Sequence, residues 1–561
     1  MFKNLNLIFI VFFIFCGLRS AGQISSLLVR ADKLIIDALD PLYQGIGPGD
    51  TLFFNSGSRD FLLIKNFIGE KGKPIVMMNY GGDVIIDTDH YFGISIQNCR
   101  YLKFSGTGYP KQTYGFKIKR VSNGAGIGIG ALSSDFELDH ISIENTMIAG
   151  IYAKTDPDCT LTSVRGIFTQ YNTIIHDNYI SNTGNEGLYV GSTQYFGQNV
   201  KCDGKDMLLM PGLLDGVKIY NNIIKYPGWD GIQVSSASDN CQIYNNTILF
   251  DSQSEVSSQM SGILIGGGTR CDCFNNFISQ GKGDGIEIHG LGGCRVFNNI
   301  IVDPGQSFLP SDKTQMKHGI FVSDVSVQND SSFYIQNNDI INPKSDAIRF
   351  SSIKSKKSQI TANVLINPGN FDYYEKGMTR FKGKDSYIMF QNIESDVIMN
   401  NNYSTLDIGD ARFLSTLGRL PDDFKIGTDS PLVDKADVDK NIGFDFAGTP
   451  RPSGLKSDIG AFELDTKTFA IVPSNSFPEQ IKLLQNPADN YLIFSLPKVS
   501  NAKNLLSIYS LNGKMIIQIK EWEYAAENLI IQANISDIKQ GIYIYTIHSG
   551  DYASSGKFIK R

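Results

Sequence analysis

The chain has 561 residues, 42% hydrophobic and 11% aromatic, enough apolar side chain for a large buried core. Its formal charge is −6 and no basic stripe appears, which argues against a nucleic-acid partner. Glycine is frequent at 55 residues, as a fold with many tight corners requires.

Residues 1–22 read as a secretory signal. Lys3 gives the positive start, residues 7–15 the apolar core, and the small residues Ser20 to Gly22 a cleavage site. That apolar run is too short to span a bilayer, and no other stretch could be a transmembrane helix. Cys16 follows Phe15 rather than a small residue, which argues against a lipid anchor. Export of the mature protein is the expectation.

From Asn145 to Asn401 one pattern recurs: an apolar-x-apolar strand ending in Asn, a turn, then Gly-Ile-x-Ile. The Asn strand reads IYNNII at 219–224, IYNNTI at 243–248, CFNNFI at 273–278, VFNNII at 296–301 and IQNNDI at 335–340. Between these stand DGIQV, SGILI, DGIEI, HGIFV and DAIRF. So short a unit cannot bury its own apolar face and must stack on copies of itself. Counted on the second Asn, the shortest steps are 23 to 25 residues, with loops inserted in the longer ones. Coils of this size hold two or three short strands. The expected fold is all-β: a right-handed, single-stranded parallel β-helix over 23–464, followed by a small antiparallel β-sandwich.

Alternation directs every second side chain inward. Cys241, Cys271, Cys273 and Cys294 fall on inward positions and read as small buried hydrophobes rather than metal ligands. Cys159 and Cys202 lie instead in long insertions after neighbouring coils, where a loop-stapling disulfide suits an oxidising compartment. Lys354 to Lys357 (KSKK) reads as a solvated corner. The column Asn178, Asn222, Asn246, Asn276, Asn299, Asn338 and Asn363 should line one corner, each amide bonding the next coil's backbone. Such an asparagine ladder resembles pectate-lyase-like β-helices, and the resemblance covers most of the chain.

The natural site on this fold is the outward lattice of the Gly-Ile-x-Ile face, whose rungs stand ~4.8 Å apart. The outward column holds Tyr152, Tyr189, Gln233, Glu287, Phe321 and Arg349; two residues before the first apolar residue of each strand stand Glu186, Asp230, Asp284, His318 and Asp346; two beyond the outward residue stand Lys154, Ser235, His289 and Ser323. Loops 155–171 and 192–215 should overhang Tyr152 and Tyr189. Tyr152, Tyr189, Gln233, Glu287 and Arg349 are candidate sugar contacts. Glu186, Asp230, Asp284, Lys154 and His289 are candidate catalytic groups. A hydrolase needs two carboxyls, ~6.5–9.5 Å apart for inversion, which favours Asp230 with Asp284, two coils apart. A uronate lyase needs a base and a cation such as Ca²⁺ or Arg to neutralise the substrate carboxylate. Ca²⁺ enters only through that reading, and no other cofactor is called for. Asp before Gly is also ordinary turn chemistry, which is the competing reading of Asp230, Asp284 and Asp346. Polygalacturonase-like motifs are absent, and RLPDDF at 419–424 lacks the second Arg of the pectate-lyase motif.

SPLVDKADVD (430–439) and GTPRPSGLKSDIGAFEL (448–464) look like the closing segment of β-helix proteins, and 465–480 reads as a linker. From 481 the grammar changes to alternating strands with Asn-Gly and Ser-Gly turns. Asn486-Pro487-Ala488, Leu511-Asn512-Gly513-Lys514, Gly541-Ile542-Tyr543 and the basic end at Lys557, Lys560 and Arg561 resemble the C-terminal sorting domain of type IX secretion cargo from Bacteroidota. The resemblance implies export to the outer-membrane surface or the medium, with the secretion machinery as a partner. Two functions stay open: a monomeric, secreted enzyme (lyase or hydrolase) cleaving an extracellular polysaccharide, or a non-catalytic glycan-binding or adhesive solenoid.

Overall fold

The computed structural model describes residues 26–308, 316–369, most of 387–464 and the strands of 482–561. The expected signal, the linker, and the Asn-Pro and Leu-Asn-Gly-Lys turns of the tail lie outside the described residues. Two compact units result, divided between Asp465 and Thr466.

The first unit is a right-handed parallel β-helix. Its Gly-Ile-x-Ile segments form a 12-stranded sheet running from Ile35–Asp37 to Ile388–Phe390, the face sheet. The remaining rungs form a 23-stranded sheet folded at the asparagine corner: in one coil Cys241–Tyr244 precedes the bend and Thr247–Leu249 follows it. Inward residues superimpose, with Ile219 on Ile243, Cys273, Val296 and Ile335 in register and all buried.

The corner explains why the repeat needs two asparagines. The first takes a left-handed backbone (φ 55° at Asn221 and Asn245, 54° at Asn275), a conformation Asn tolerates better than most L-residues. The second builds the ladder. The Asn222 amide nitrogen donates to Asn246 Oδ1 at 3.0 Å and to the Ile175 carbonyl at 3.0 Å, while Asn222 Oδ1 accepts the Asn178 N–H at 3.2 Å. The chain of amides runs to Asn402, so side chain-to-side chain bonds join the expected backbone bonds. The glycine of each Gly-Ile-x-Ile segment is set by closeness: a Cβ on Gly231 would meet Gly262 O and Ile248 Cγ2, each at 2.5 Å.

Outside the same corner, His176, Tyr220, Tyr244, Phe274 and Phe297 stack along the axis with centroids 4.5–5.0 Å apart and planes within 8°. Their faces cover one another, so only ring edges meet solvent. The column ties rungs together and offers no platform for a sugar.

Cys241 and Cys271, opposite each other on adjacent coils with Cα atoms 4.5 Å apart, are disulfide-bonded. This corrects the reading of both as simple buried hydrophobes: register brings two inward sulfurs together. Cys273 and Cys294 are buried and free, in keeping with that reading. Lys354, Lys356 and Lys357 are exposed at a corner.

The closing segment caps a flank. Ala411, Phe413, Phe424, Leu432, Ile459 and Phe462 pack on Phe277, Ile300, Val302, Ile341, Val364 and Ile366, the outer face of successive rungs. Arg451 pairs with Glu463 at 2.6 Å, both buried, and donates to Asn298 Oδ1 at 3.1 Å; Asn337 donates to the Asp458 carbonyl at 3.1 Å.

The second unit holds two antiparallel four-stranded sheets. One contains Tyr491–Ser495 and Ile530–Asn534; the other contains Asn504–Ser510, Gly541–Ser549 and Tyr552–Lys560. Leu492, Phe494, Leu506, Ile508, Ile547 and Phe558 form its core.

Candidate functional site

The face sheet sets its outward column in unbroken register: Tyr152 on Tyr189, then Gln233, Leu264, Glu287, Phe321 and Arg349. Arg349 stands six rungs from Tyr152, roughly 29 Å along the axis by the rung spacing. One ligand contact shared by both therefore requires an extended chain.

At the N-terminal end of this column, Lys154 Nζ lies 5.2 and 4.9 Å from the ring centroids of Tyr152 and Tyr189 and 2.8 Å from Asp156 Oδ1. The two rings meet edge to face at 5.1 Å. Their hydroxyls reach the loop bases, Tyr152 to Asp156 Oδ2 at 3.4 Å and Tyr189 to Thr193 Oγ1 at 3.0 Å. Burial pulls the Lys154 ammonium down, but the two tyrosines and Asp156 together hold it above the usual lysine range. It is a fixed cation and a poor base. Glu186, on the next coil, is 2% exposed. Burial pushes its carboxyl up to about 7, against smaller downward pulls from its own N–H and from Lys154.

Asp230 and Asp284 are corner caps. Asp230 is fully buried; its Oδ1 accepts the Ser261 N–H and hydroxyl, each at 2.7 Å, while Oδ2 has no hydrogen-bond partner. Asp284 Oδ1 accepts the His318 N–H at 2.5 Å, and its Oδ2 lies 3.4 Å from Lys317 Nζ. Burial, the leading cause in each, raises both carboxyls above the usual range. Each therefore closes the next coil's turn, the role of Asp before Gly, and the pair presents no open carboxylates to an inverting water. Gln233 is equally buried, with Oε1 unpartnered, so it offers a polar atom beneath the face rather than on it.

Farther along, Glu287 Oε1 meets His289 Nε2 at 2.9 Å, and His289 Nδ1 is bonded to the Ser323 hydroxyl. Arg349 is tied to Asp346 Oδ2 at 3.2 Å and Gln391 Oε1 at 3.4 Å. Tyr152, Lys154 and Tyr189 are thus brought together, with Glu186 near enough to feel the Lys154 charge, and Glu287 with His289 form a second group. Arg349 stands apart.

Among the described residues, Glu137, Asp139 and His176 bring ligand atoms within 4.8 Å of one another. Lys103 already holds the cation position there, 2.5 Å from Glu137 Oε1 and 3.2 Å from Asp139 Oδ2. The group is an ion-pair network on the 23-stranded sheet rather than the face sheet.

Residues 213–392 match the right-handed beta helix region family, and residues 485–561 match the secretion system C-terminal sorting domain. The chain is a right-handed β-helix protein with a secretion sorting domain. That domain marks this β-helix protein for export by type IX secretion to the cell surface or extracellular space. Solved structures it resembles include a GH136 lacto-N-biosidase from Eubacterium ramulus, at 13% identity and TM-score 0.42, covering 64% of this chain and 63% of that one. The chain spans 63% of that relative's length. The pectate lyase Pel9A is similar at 13% identity and TM-score 0.37, covering 79% and 98%. The A-module of an Azotobacter vinelandii mannuronan C-5 epimerase is similar at 12% identity and TM-score 0.29, covering 64% and 91%. No curated protein matches the sequence.

Two loops wall the tyrosine end of the β-helix protein's face. Cys159 and Cys202 join them, with Cα atoms 5.5 Å apart, and Arg165 donates to the Tyr195 carbonyl at 2.6 Å while covering its ring at 4.3 Å. The second loop carries its own hairpin, Gln198–Cys202 with Lys205–Leu209. The bridge closes 43 residues, worth about 4 kcal/mol against loop opening by chain entropy. Cys159→Ser with Cys202→Ser is expected to speed proteolysis within 155–210 by about 10-fold or more while the β-helix core keeps its melting temperature, read by limited digestion and mass spectrometry.

Sequence reasoning missed Asp156, Lys317 and the partnership of Ser323 with His289. Asp156 and Lys317 lie outside the repeat's columns, where periodicity is silent. Ser323 stood in the column that carries His289, but its small side chain gave no chemical signal.

Proposed function

We propose that the protein cleaves glycosidic bonds of an extracellular polysaccharide lying along the face sheet, with Glu186 as proton donor. The observation that carries this reading is a nearly buried carboxyl, raised by that burial, within the field of a lysine cation that two tyrosines hold beneath disulfide-tied loops. An acid of pKa about 7 is matched to protonating a leaving oxygen at neutral pH. Asp156, 41% exposed and bonded to Lys154, is the carboxylate at hand to assist water. Lys154 is held too basic to abstract a proton, which favours hydrolysis over elimination with Lys154 as base. It also suits the cleft to sugars carrying negative charge. The test is incubation of the exported protein with neutral and acidic polysaccharides, reading new reducing ends together with the ultraviolet absorbance of unsaturated uronates. Reducing ends without that absorbance are expected. Absorbance rising in step would replace hydrolysis by elimination, and retention on a glycan gel without cleavage would leave only a binding surface.

A further inference from the structure

We propose that Ser323, His289 and Glu287 form a nucleophile–base–carboxylate triad that hydrolyses short acyl esters. The register of the face sheet places them. Glu287 and His289 are two residues apart on one strand and its exit, so both point outward. The neighbouring strand pairs Glu287 with Phe321 and Ile288 with Val322, which sets Ser323 directly across from His289. The imidazole then bridges the Ser323 hydroxyl through Nδ1 and Glu287 Oε1 through Nε2 at 2.9 Å. This is the relation of nucleophile, general base and orienting carboxylate that activates a serine, and it is recognised by geometry rather than by chain order. An ordinary surface ion pair would need no hydroxyl on the other ring nitrogen.

The surroundings fit the chemistry. The Glu287 and His289 side chains are only 16% and 24% exposed, shielded yet reachable. The Asp324 N–H, next after the serine, has no hydrogen-bond acceptor among the described residues and is a donor at hand for an oxyanion. Leu264 and Phe321 flank Glu287 in the outward column, and the Phe321 ring stands 6.3 Å from the imidazole. Two apolar neighbours suit a small acyl group rather than another charged sugar.

The reaction balances with water as the only co-reactant. Ser323 Oγ attacks the ester carbonyl carbon as its proton passes to His289. The ester C–O bond breaks, the departing alcohol takes that proton, and an acyl-serine remains. Water, deprotonated by the same imidazole, attacks the acyl carbon; the carboxylic acid leaves and Ser323 regains its proton. Glu287 holds the ring's orientation and stabilises the imidazolium. The glycan-cleavage reading is not needed for any of these steps.

The test uses the full exported chain with two sugar-free probes, p-nitrophenyl acetate and a fluorophosphonate. Ester hydrolysis and covalent labelling at Ser323 are expected. Both should be lost in Ser323→Ala, hydrolysis by about 10³-fold or more, at unchanged melting temperature. Ser351→Ala, at the equivalent position one coil on where the hydroxyl bonds Gln391 at 2.7 Å, should keep both. Glu287→Gln should lower kcat by about 10²-fold or more at unchanged KM, since it removes the carboxylate that orients the imidazole. No label at Ser323, or hydrolysis unaffected by Ser323→Ala, overturns the proposal; an unchanged kcat in Glu287→Gln removes Glu287 from it. Since neither probe contains a sugar, the outcome is independent of polysaccharide cleavage.

Discussion

Glu186→Gln is expected to lower the rate of polysaccharide cleavage by about 10²–10⁴-fold, the usual worth of a positioned general acid, with little change in glycan retention. The isosteric amide keeps the fit and removes the proton. The wild-type rate should fall as pH rises through about 7, where burial has placed this carboxyl. The same shift has a sign in stability. The folded value lies above the ordinary 4.5, so the contribution is fully present below about pH 4.5 and is lost as pH rises through about 7. The loss is on the order of 3 kcal/mol for a group 2% exposed. Melting curves from pH 4 to 9 should therefore fall more steeply for wild type than for Glu186→Gln. Parallel curves, or a variant that cleaves at the wild-type rate, would remove Glu186 from the acid role.

Asn276→Ala should cost about 3–5 kcal/mol, the largest single loss of stability expected at the asparagine corner. Its amide nitrogen donates to Ile243 O at 2.9 Å, Phe274 O at 3.1 Å and Asn299 Oδ1 at 3.0 Å, and its Oδ1 accepts from the Asn246 backbone at 3.1 Å and amide at 3.0 Å. All of these bonds but the one to the Phe274 carbonyl are buried, so truncation strands several groups without water. Asn275→Ala, by contrast, loses a residue suited to φ 54° and should cost on the order of 1 kcal/mol. Chemical denaturation of both variants gives the comparison; equal losses would mean that the bend, rather than the ladder, makes the corner.

These contrasts show where the sequence was readable. Inward columns and the second Asn repeat because every rung meets the same environment, so Asn178 to Asn363 and the face-sheet register could be read from letters alone. The reason for the first Asn could not, because its recurrence alone does not tell a left-handed backbone from a side-chain bond. Outward positions are not equivalent from rung to rung. Gln233 stands on the outward column yet is buried, because neighbouring turns and loops cover it, and alternation cannot report that. Cys241 and Cys271 both point inward as expected, but only the relative height of two coils tells whether two sulfurs touch. Glu186 occupies a position where other coils carry the turn-forming Asp, and its burial gives that difference a chemical meaning.

The flank covered by residues 408–464 bears on how the molecule becomes whole. A bare solenoid can lose its last rung and remain much the same object, since each rung leans only on its neighbours. Here Arg451 and Asp458 reach back to Asn298 and Asn337, riveting rungs made more than a hundred residues earlier. Shortening the chain before Leu432 would therefore do more than trim an end: it would strip an oily strip along several storeys of the tower at once, inviting other chains to cling there.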